Sequence, residues 1–381
     1  MGLQVLVVTI VHHPQDARIR HRQIPSLLQA GHSVTYAAPF TGYALPAPGA
    51  PEARAVPGDG QLTEVDLPRA RGRRRAAAWG GAWRLLRSVG RPGGRAADVI
   101  LVHDPELAAL ALAARPRAPV IWDVHEDTAA ALGMKAWIPG RARGAVQAAV
   151  VRLERAAERH LDLLLAEDAY QERFARAHPV VPNTTDVPAV VPPPGPGRVV
   201  YVGHLTRARG AHTMTEVARR LARSSAGTVR MDVVGGADDP TARLLREADQ
   251  AGLLRWHGFL PNPAALALLD GATAGLSLLT DQPNYAHSMP TKVVEYLAHG
   301  IPVVTTPTPL AARLVESTGA GLVVPYDDVD AVVEAILRLH SDAALRSRMG
   351  RAGHEAALAR FSWPAQAPAF VAEVERVAAS G

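Results

Sequence analysis

The stretch Pro290-Thr291-Lys292-Val293-Val294-Glu295-Tyr296-Leu297-Ala298-His299-Gly300-Ile301-Pro302-Val303-Val304 reads as a helix, a glycine stop and a buried strand, the repeating unit of a parallel α/β sheet. Pro290 suits the first helical position, where its missing N–H is no loss. The free amides of such a helix start attract an anion. Ser288 and Thr291 add hydroxyl donors, and Lys292 adds a compact cation. Lys292 stands out because only it and Lys135 are lysines among the 41 Lys and Arg residues. Arginine substitutes poorly for an ammonium at a crowded phosphate site. Glu295 falls on the helix face of Thr291 and Lys292, where it could accept hydrogen bonds from sugar hydroxyls. The plainer alternative makes Lys292 and Glu295 a surface ion pair.

The same alternation runs outward through the chain. Candidate strands lie at 4–9, 33–38, 99–103 and 120–123, then at 199–203, 230–234, 254–258, 275–279, 302–305 and 321–324. Amphipathic helical patterns fill most of the intervals, for instance 19–30, 212–223 and 263–270. This predicts parallel sheets covered by helices on both faces. Five prolines fall within 187–197 and interrupt the pattern. Proline continues neither a ladder nor a helix interior, so this segment reads as a semi-rigid connector. The expected organisation is an amino-terminal domain over 1–186, a linker over 187–197, a second domain over 198–358 and a carboxy-terminal helix over 359–381, which could pack back on the first domain. A cleft between two such halves is the expected ligand site.

Composition narrows the function classes. At 381 residues with 48% hydrophobic and 20% charged residues, the chain can bury full cores. It has no cysteine, which excludes disulfides, thiolate nucleophiles and thiolate metal sites. No run approaches the ~20 apolar residues of a membrane span, and the apolar start at 3–11 reads as a strand rather than a signal peptide. A cytoplasmic protein is expected. Between Asp66 and Asp98 there is no acidic residue but there are nine arginines, from Arg69 to Arg95, with Trp79 and Trp83 among them. Such a segment is either a solvated basic face or a peripheral contact for anionic membrane at its inner surface, or for an anionic acceptor. No nucleic-acid reader motif accompanies the charge.

Polar clusters sit at predicted strand ends, where open α/β sheets bind ligands. His12-His13-Pro14-Gln15-Asp16-Ala17-Arg18-Ile19 follows the first strand. His103-Asp104-Pro105-Glu106-Leu107 and Asp123-Val124-His125-Glu126-Asp127 follow two later ones. In the second half, Gly203-His204-Leu205-Thr206-Arg207-Ala208-Arg209-Gly210 opens a helix. Its glycines allow close backbone approach, and two guanidiniums there could clamp phosphate oxygens.

With these residues in view, the chain resembles the retaining, nucleotide-sugar-dependent glycosyltransferases of family four. Pro290–Val304 matches that family's P-x-K-x-x-E-Y-x-A-x-G-x-P-V-V signature, and the three amino-terminal clusters resemble the H-x-x-D-x-R-I, H-D-P-E-L and D-x-H-E motifs of one of its branches. The resemblance implies the GT-B fold, two Rossmann-like doubly wound domains facing across a cleft. It implies that Gly203, His204, Arg207, Arg209, Ser288, Pro290, Thr291, Lys292 and Glu295 hold the donor diphosphate and nucleotide. His204 stands where the family has Arg, Arg209 where it has Lys, and Arg207 would supply the missing guanidinium. His287 replaces the first Glu of the family's Glu-x7-Glu motif; with His125 it would face the donor sugar. His12, Asp16, Arg18, His103, Asp104 and Glu126 would line the acceptor side. His125, Arg209 and Lys292 would carry catalysis.

The implied reaction moves a hexosyl or N-acetylhexosaminyl group from a nucleotide sugar, foremost a UDP-sugar, to a hydroxyl of an anionic or lipid-linked acceptor, or of a specialised metabolite, with retention. Positive charge at the leaving diphosphate would act without a metal and without a further cofactor. His125, Glu126, Asp127 or the departing phosphate could take the acceptor's proton. Two other classes remain open from sequence, an epimerase acting on the nucleotide sugar alone and a non-catalytic sugar-nucleotide-binding partner.

Overall fold

The computed structural model describes residues 2–49, 61–124, 140–224, 228–286 and 289–381, without the side chains of 140–143 and 284. It divides into two compact units, Met1–Asn183 with Pro364–Gly381, and Thr184–Trp363.

Unit 1 holds a six-stranded parallel sheet of β1 (Gln4–Val8), β2 (Ser33–Ala38), β3 (Leu62–Asp66), β4 (Val99–Val102), β5 (Val120–Val124) and β6 (Asp162–Leu165), in the order β3-β2-β1-β4-β5-β6. Unit 2 holds β7 (Arg198–Val202), β8 (Arg230–Val234), β9 (Arg255–Trp256), β10 (Ala274–Ser277), β11 (Val303–Thr305) and β12 (Gly321–Val323), in the order β12-β11-β10-β7-β8-β9. The second sheet repeats the first strand for strand. Each is the doubly wound order in which ligands bind where the winding reverses, between β1 and β4 and between β7 and β10.

Alternation along the strands explains why both sheet faces are covered. On β7, Val199 and Tyr201 join one core with Met214, Leu221 and Ile336, while Val200 and Val202 join the opposite core with Val293, Tyr296 and Leu297. Glycine makes one of these contacts possible. A Cβ at Gly275 on β10 would lie 2.3 Å from the Tyr296 ring.

Several elements differ from the sequence expectation. β3 and β6 are additional edge strands. β6 begins two residues after the helix Gly140–His160, with no turn residue to mark the boundary. The 19–30 segment is not one α-helix. Ile19–Gln23 forms a π-turn that passes into the α-helix Ile24–Gln29. Pro25, which lacks an N–H, stands at that junction. Pro290 occupies the N-cap, so the helix Thr291–Ala298 starts one residue later than expected. The proline-rich stretch lies within unit 2. Proline offers its carbonyl as its only backbone hydrogen-bonding group, and here those carbonyls are used. Pro188, Pro194 and Pro196 accept from His354 (2.7 Å), Arg346 Nε (2.9 Å) and His340 (2.6 Å). The carboxy-terminal helix Trp363–Ser380 buries Phe370, Val374 and Val377, and Arg376 in unit 1 reaches Asp162 at 3.0 Å.

Gly275→Ala should destabilise unit 2 by on the order of 3 kcal/mol, because Tyr296 cannot withdraw without breaking its own bonds. Gly80→Ala, in the exposed middle of the helix Arg75–Ser88 with nothing within 4 Å of the new Cβ, should instead stabilise by about 0.5–1 kcal/mol. Thermal unfolding of the two variants beside the parent chain checks both signs.

Candidate functional site

The two reversal points are filled in opposite ways. In unit 1, Asp104 reaches from the end of β4 under the loop after β1. Its carboxylate accepts from Thr9 Oγ1 (3.1 Å), Ile10 N–H (2.6 Å) and Val11 N–H (3.3 Å), and His12 Nε2 lies 3.3 Å away. An internal anion thus satisfies the amides that a bound anion would otherwise meet. Beside it, Arg18 makes a two-pronged pair with Asp123, both contacts at 2.8 Å, and also donates to the Val181 carbonyl at 2.9 Å. Gln23 and His103 complete the cluster around Asp123. Burial would raise the Asp123 pKa; the Arg18 charge and hydrogen bonds, with His103, more than reverse that and hold it well below the usual range.

Of the residues assigned by sequence to the acceptor side, His12, Asp16, Arg18, His103 and Asp104 do come together at this sheet edge. Arg18, His103 and Asp104 are buried, however, and hold the loops in place rather than face outward. Asp16 caps the next turn through the N–H groups of Arg18 and Ile19. Glu126 and His125 lie outside the described residues, as do His287 and Ser288.

In unit 2 a cation takes the corresponding place. Gly203 leaves β7 at φ +130°, and a Cβ there would lie 3.3 Å from Lys292 Cε. Gly235 leaves β8 at φ +137°, with its own hypothetical Cβ 1.9 Å from the Gly203 carbonyl oxygen. Neither position tolerates a side chain. Lys292, in the first turn of the helix Thr291–Ala298, is buried with Nζ 4.6 Å from the centre of the Tyr201 ring. Burial first and then the Arg209 charge lower its pKa to about 7, against an opposing contribution from Glu295. Glu295 is itself buried on the same helix.

The loop 203–210 is built to hold this arrangement. Thr206 Oγ1 accepts from the Arg209 N–H at 3.3 Å, Arg209 Nη1 reaches the His204 carbonyl at 3.4 Å, and the Tyr201 hydroxyl donates to that same carbonyl at 3.1 Å. Gly210, at φ +83°, packs on Leu278 after β10, closing the loop over the reversal point. Arg209 is therefore the guanidinium that acts on Lys292, whereas Arg207 is exposed. His204 stands at the exposed rim; crowding around its ring and then Arg209 lower its pKa.

Two residues without an assigned role in sequence prove central. Tyr296 accepts from Val202 N–H at 3.0 Å and donates to the Leu276 carbonyl at 3.1 Å, tying the lysine helix to β7 and β10 together. Tyr201 supplies the aromatic face under Lys292. Tyr296 belongs to the quoted signature, and Tyr201 could have been flagged as a strand residue two places before the loop glycine.

Comparison with known proteins agrees with this division. The model for glycosyl transferases group 1 matches residues 183–356, and that for a glycosyl transferase 4-like domain matches residues 2–195. The chain belongs to this glycosyltransferase family. It is 26% identical over 294 residues to glycogen synthase of Mycobacterium tuberculosis, covering 71% of this chain and 67% of that protein. WcaL of Salmonella typhimurium, named for glycosyl transfer in colanic acid biosynthesis, is 29% identical over 146 residues, 38% of this chain and 36% of that protein. The match to WcaL thus spans little more than a third of its length. Sucrose-phosphate synthase from Thermosynechococcus elongatus superposes over 100% of both chains with a TM-score of 0.72 at 17% identity. HepE of Anabaena, solved with UDP and glucose, covers 98% of this chain and 100% of its own with a TM-score of 0.67 at 15% identity. These likenesses establish the fold of the glycosyltransferase, two Rossmann-like units of the GT-B type.

Arg18→Met should cost about 3–5 kcal/mol, because it strands the buried Asp123 charge. The pair's contribution is full above the ordinary carboxylate pKa and is lost as pH falls toward the depressed pKa of Asp123. Denaturant titrations at pH 7 and at pH 3 should show the gap between parent and variant shrinking in acid.

Proposed function

We propose that the glycosyltransferase moves a sugar from a nucleotide-diphosphate sugar to an acceptor hydroxyl with retention, UDP being the leaving nucleotide. One observation carries this reading. A buried ammonium beneath a glycine loop, beside a guanidinium and in the first turn of a helix, is a ready seat for a diphosphate. HepE, which shares the fold, was solved with UDP-glucose.

Breaking the bond between the anomeric carbon and the diphosphate places an electron pair on a phosphate oxygen. Lys292 and Arg209 stand where that charge develops, joined by the amides of the helix start. The loop glycines allow the phosphates to approach the backbone, and Glu295 accepts from ribose hydroxyls. The acceptor oxygen bonds to the anomeric carbon on the face from which the phosphate departs, and a departing phosphate oxygen on that face takes its proton. In this reading His125 and His287 are the candidates for the donor sugar and Ser288 for the diphosphate, as the family resemblance assigns them. Charge at the leaving group comes from side chains in place of a metal.

The exposed face of the helix Arg75–Ser88 and the turn before it carries Arg73, Arg74, Trp79, Arg84 and Arg87, and we read it as a peripheral contact with anionic lipid. Among the described residues, no helix is long and apolar enough to cross a membrane.

Three measurements test the proposal. Lys292→Ala and Glu295→Ala should each weaken UDP binding by tenfold or more, and Lys292→Ala should lower turnover by roughly 10²–10³; parent-like UDP affinity in both would sink the site. A diphosphate favours the charged form of Lys292, so UDP affinity should be level below pH 7 and fall as pH rises above about 7, with proton uptake on binding. Calorimetry between pH 6 and 9 reads this, and the slope should vanish in Lys292→Ala. Neutralising Arg73, Arg74 and Arg84 together should reduce partition onto phosphatidylglycerol vesicles by about two orders of magnitude. A parent chain that ignores such vesicles removes the membrane reading.

A further inference from the structure

A second cationic site, with no role so far, lies at the carboxyl edge of the unit 1 sheet. It is made where the loops after β1, β2 and β3 meet. The Arg69 guanidinium stacks on the Tyr43 ring, 3.6 Å from its centre. The His13 ring meets the same tyrosine edge-on at 4.6 Å. The Tyr43 hydroxyl donates to the Val11 carbonyl at 2.6 Å, which fixes the ring to the β1 loop.

This cluster is built rather than incidental. Gly42 carries the Arg69 side chain directly on its backbone, since a Cβ there would lie 2.6 Å from Arg69 Cβ. Ala44 takes a left-handed conformation, φ 57°, to close the turn after Tyr43. The Asp66 carboxylate holds the start of that turn through the Thr41 N–H at 3.0 Å.

The charges do not cancel. Arg69 has no carboxylate partner among the described residues, and exposed Arg71 lies near enough to act on Tyr43. The nearby carboxylates are already engaged: Asp16 with the N–H groups of Arg18 and Ile19, Asp66 with Thr41, and Asp104 with the β1 loop. His13 is neutral at pH 7, its pKa lowered to about 4 by burial, with Arg69 adding to the shift against Asp16. Its Nδ1 accepts the Gln15 N–H at 3.0 Å, which leaves the proton on Nε2. The cluster therefore offers a forked cation beside the Tyr43–His13 aromatic pair, which suits a sugar bearing an anionic group.

We propose that Arg69, Tyr43 and His13 form a subsite for a glycosyl acceptor that carries a phosphate or a carboxylate. This rests on the glycosyltransferase reading and adds the acceptor's chemical class to it. Arg69 takes the anionic group, and the Tyr43 and His13 rings hold the sugar beside it.

The test uses three probes that differ in one group: p-nitrophenyl β-glucoside, its 6-phosphate and p-nitrophenyl β-glucuronide. Binding is titrated with and without UDP on the full chain, and UDP affinity is measured in the same samples. The parent should prefer the charged probes by about tenfold over the neutral one. Arg69→Gln should bring all three within about twofold while UDP affinity stays unchanged, and Arg69→Lys should keep part of the preference. Arg71→Gln, at an exposed position that leaves the fold intact, should lower it by a smaller factor. The same sugars on dodecyl chains in micelles separate the sources, since preference only in that form assigns a lipid-linked acceptor. No preference in the parent, its survival in Arg69→Gln, or an equal loss on neutralising Arg73 and Arg74 would each overturn the subsite. Failure of UDP to bind would count against the transferase reading alone, because the probe preference is read without it.

Discussion

Lys292 is held out of water by Gly203 above it, Tyr201 below it and Arg209 beside it, and most of unit 2 is arranged to keep it there. Two glycines in conformations closed to other residues bring the loops after β7 and β8 against each other. Tyr296, one turn along the helix from Lys292, bonds to two strands at once and leaves the lysine helix no room to slide. A buried ammonium is ordinarily costly. Here its proton is held weakly enough that the empty site can shed it near neutral pH, and a bound diphosphate would restore it.

The two sheets share one winding, yet their reversal points have opposite character. Asp104 plugs the unit 1 crevice with a carboxylate that already satisfies the amides of the β1 loop. The unit 2 crevice presents glycine backbone and a cation. One topology thus gives one crevice closed by an internal anion and one lined by a cation, and single side chains at the strand ends decide which is which. The same logic bears on the proposed acceptor subsite of unit 1. With its reversal point closed internally, a cation without a carboxylate partner among the described residues, Arg69, stands at the edge formed by the loops after β1, β2 and β3.

Much of this was legible in the sequence, for identifiable reasons. The central strands announced themselves as apolar runs bounded by glycine: 199–202 is buried on both faces, and in 230–234 Met231, Val233 and Val234 are buried. β3 and β6 did not. Both are short edge strands, and β6 follows a long helix without a turn residue. The lysine helix was legible because Pro290, Lys292, Glu295 and Gly300 each mark a position. Of the residues read as an acceptor-side group, His12, Asp16, Arg18, His103 and Asp104 meet at one sheet edge, where Arg18, His103 and Asp104 are buried supports of the loops. Nothing in Arg18 or Asp104 as residue types tells that each would find a buried partner about a hundred positions away. Arg207 and Arg209 were equally plausible phosphate ligands by type; the left-handed Gly210 and the Thr206 cap determine that Arg209 turns inward.

The rarity of lysine sharpens the case for Lys292. In a chain where arginine has replaced nearly every other basic residue, a guanidinium would be the default at this position as well. It would fail there on two counts. A planar fork is broader than the methylene that already stands 3.3 Å from the hypothetical Cβ of Gly203. An arginine also cannot lose its proton, so the empty site would hold a permanently charged group buried beside Arg209. Lysine alone among the cations fits the space and can become neutral when no anion is bound. The requirement therefore falls on the empty site as much as on the loaded one, and it explains why a compact, titratable cation persists at this one place.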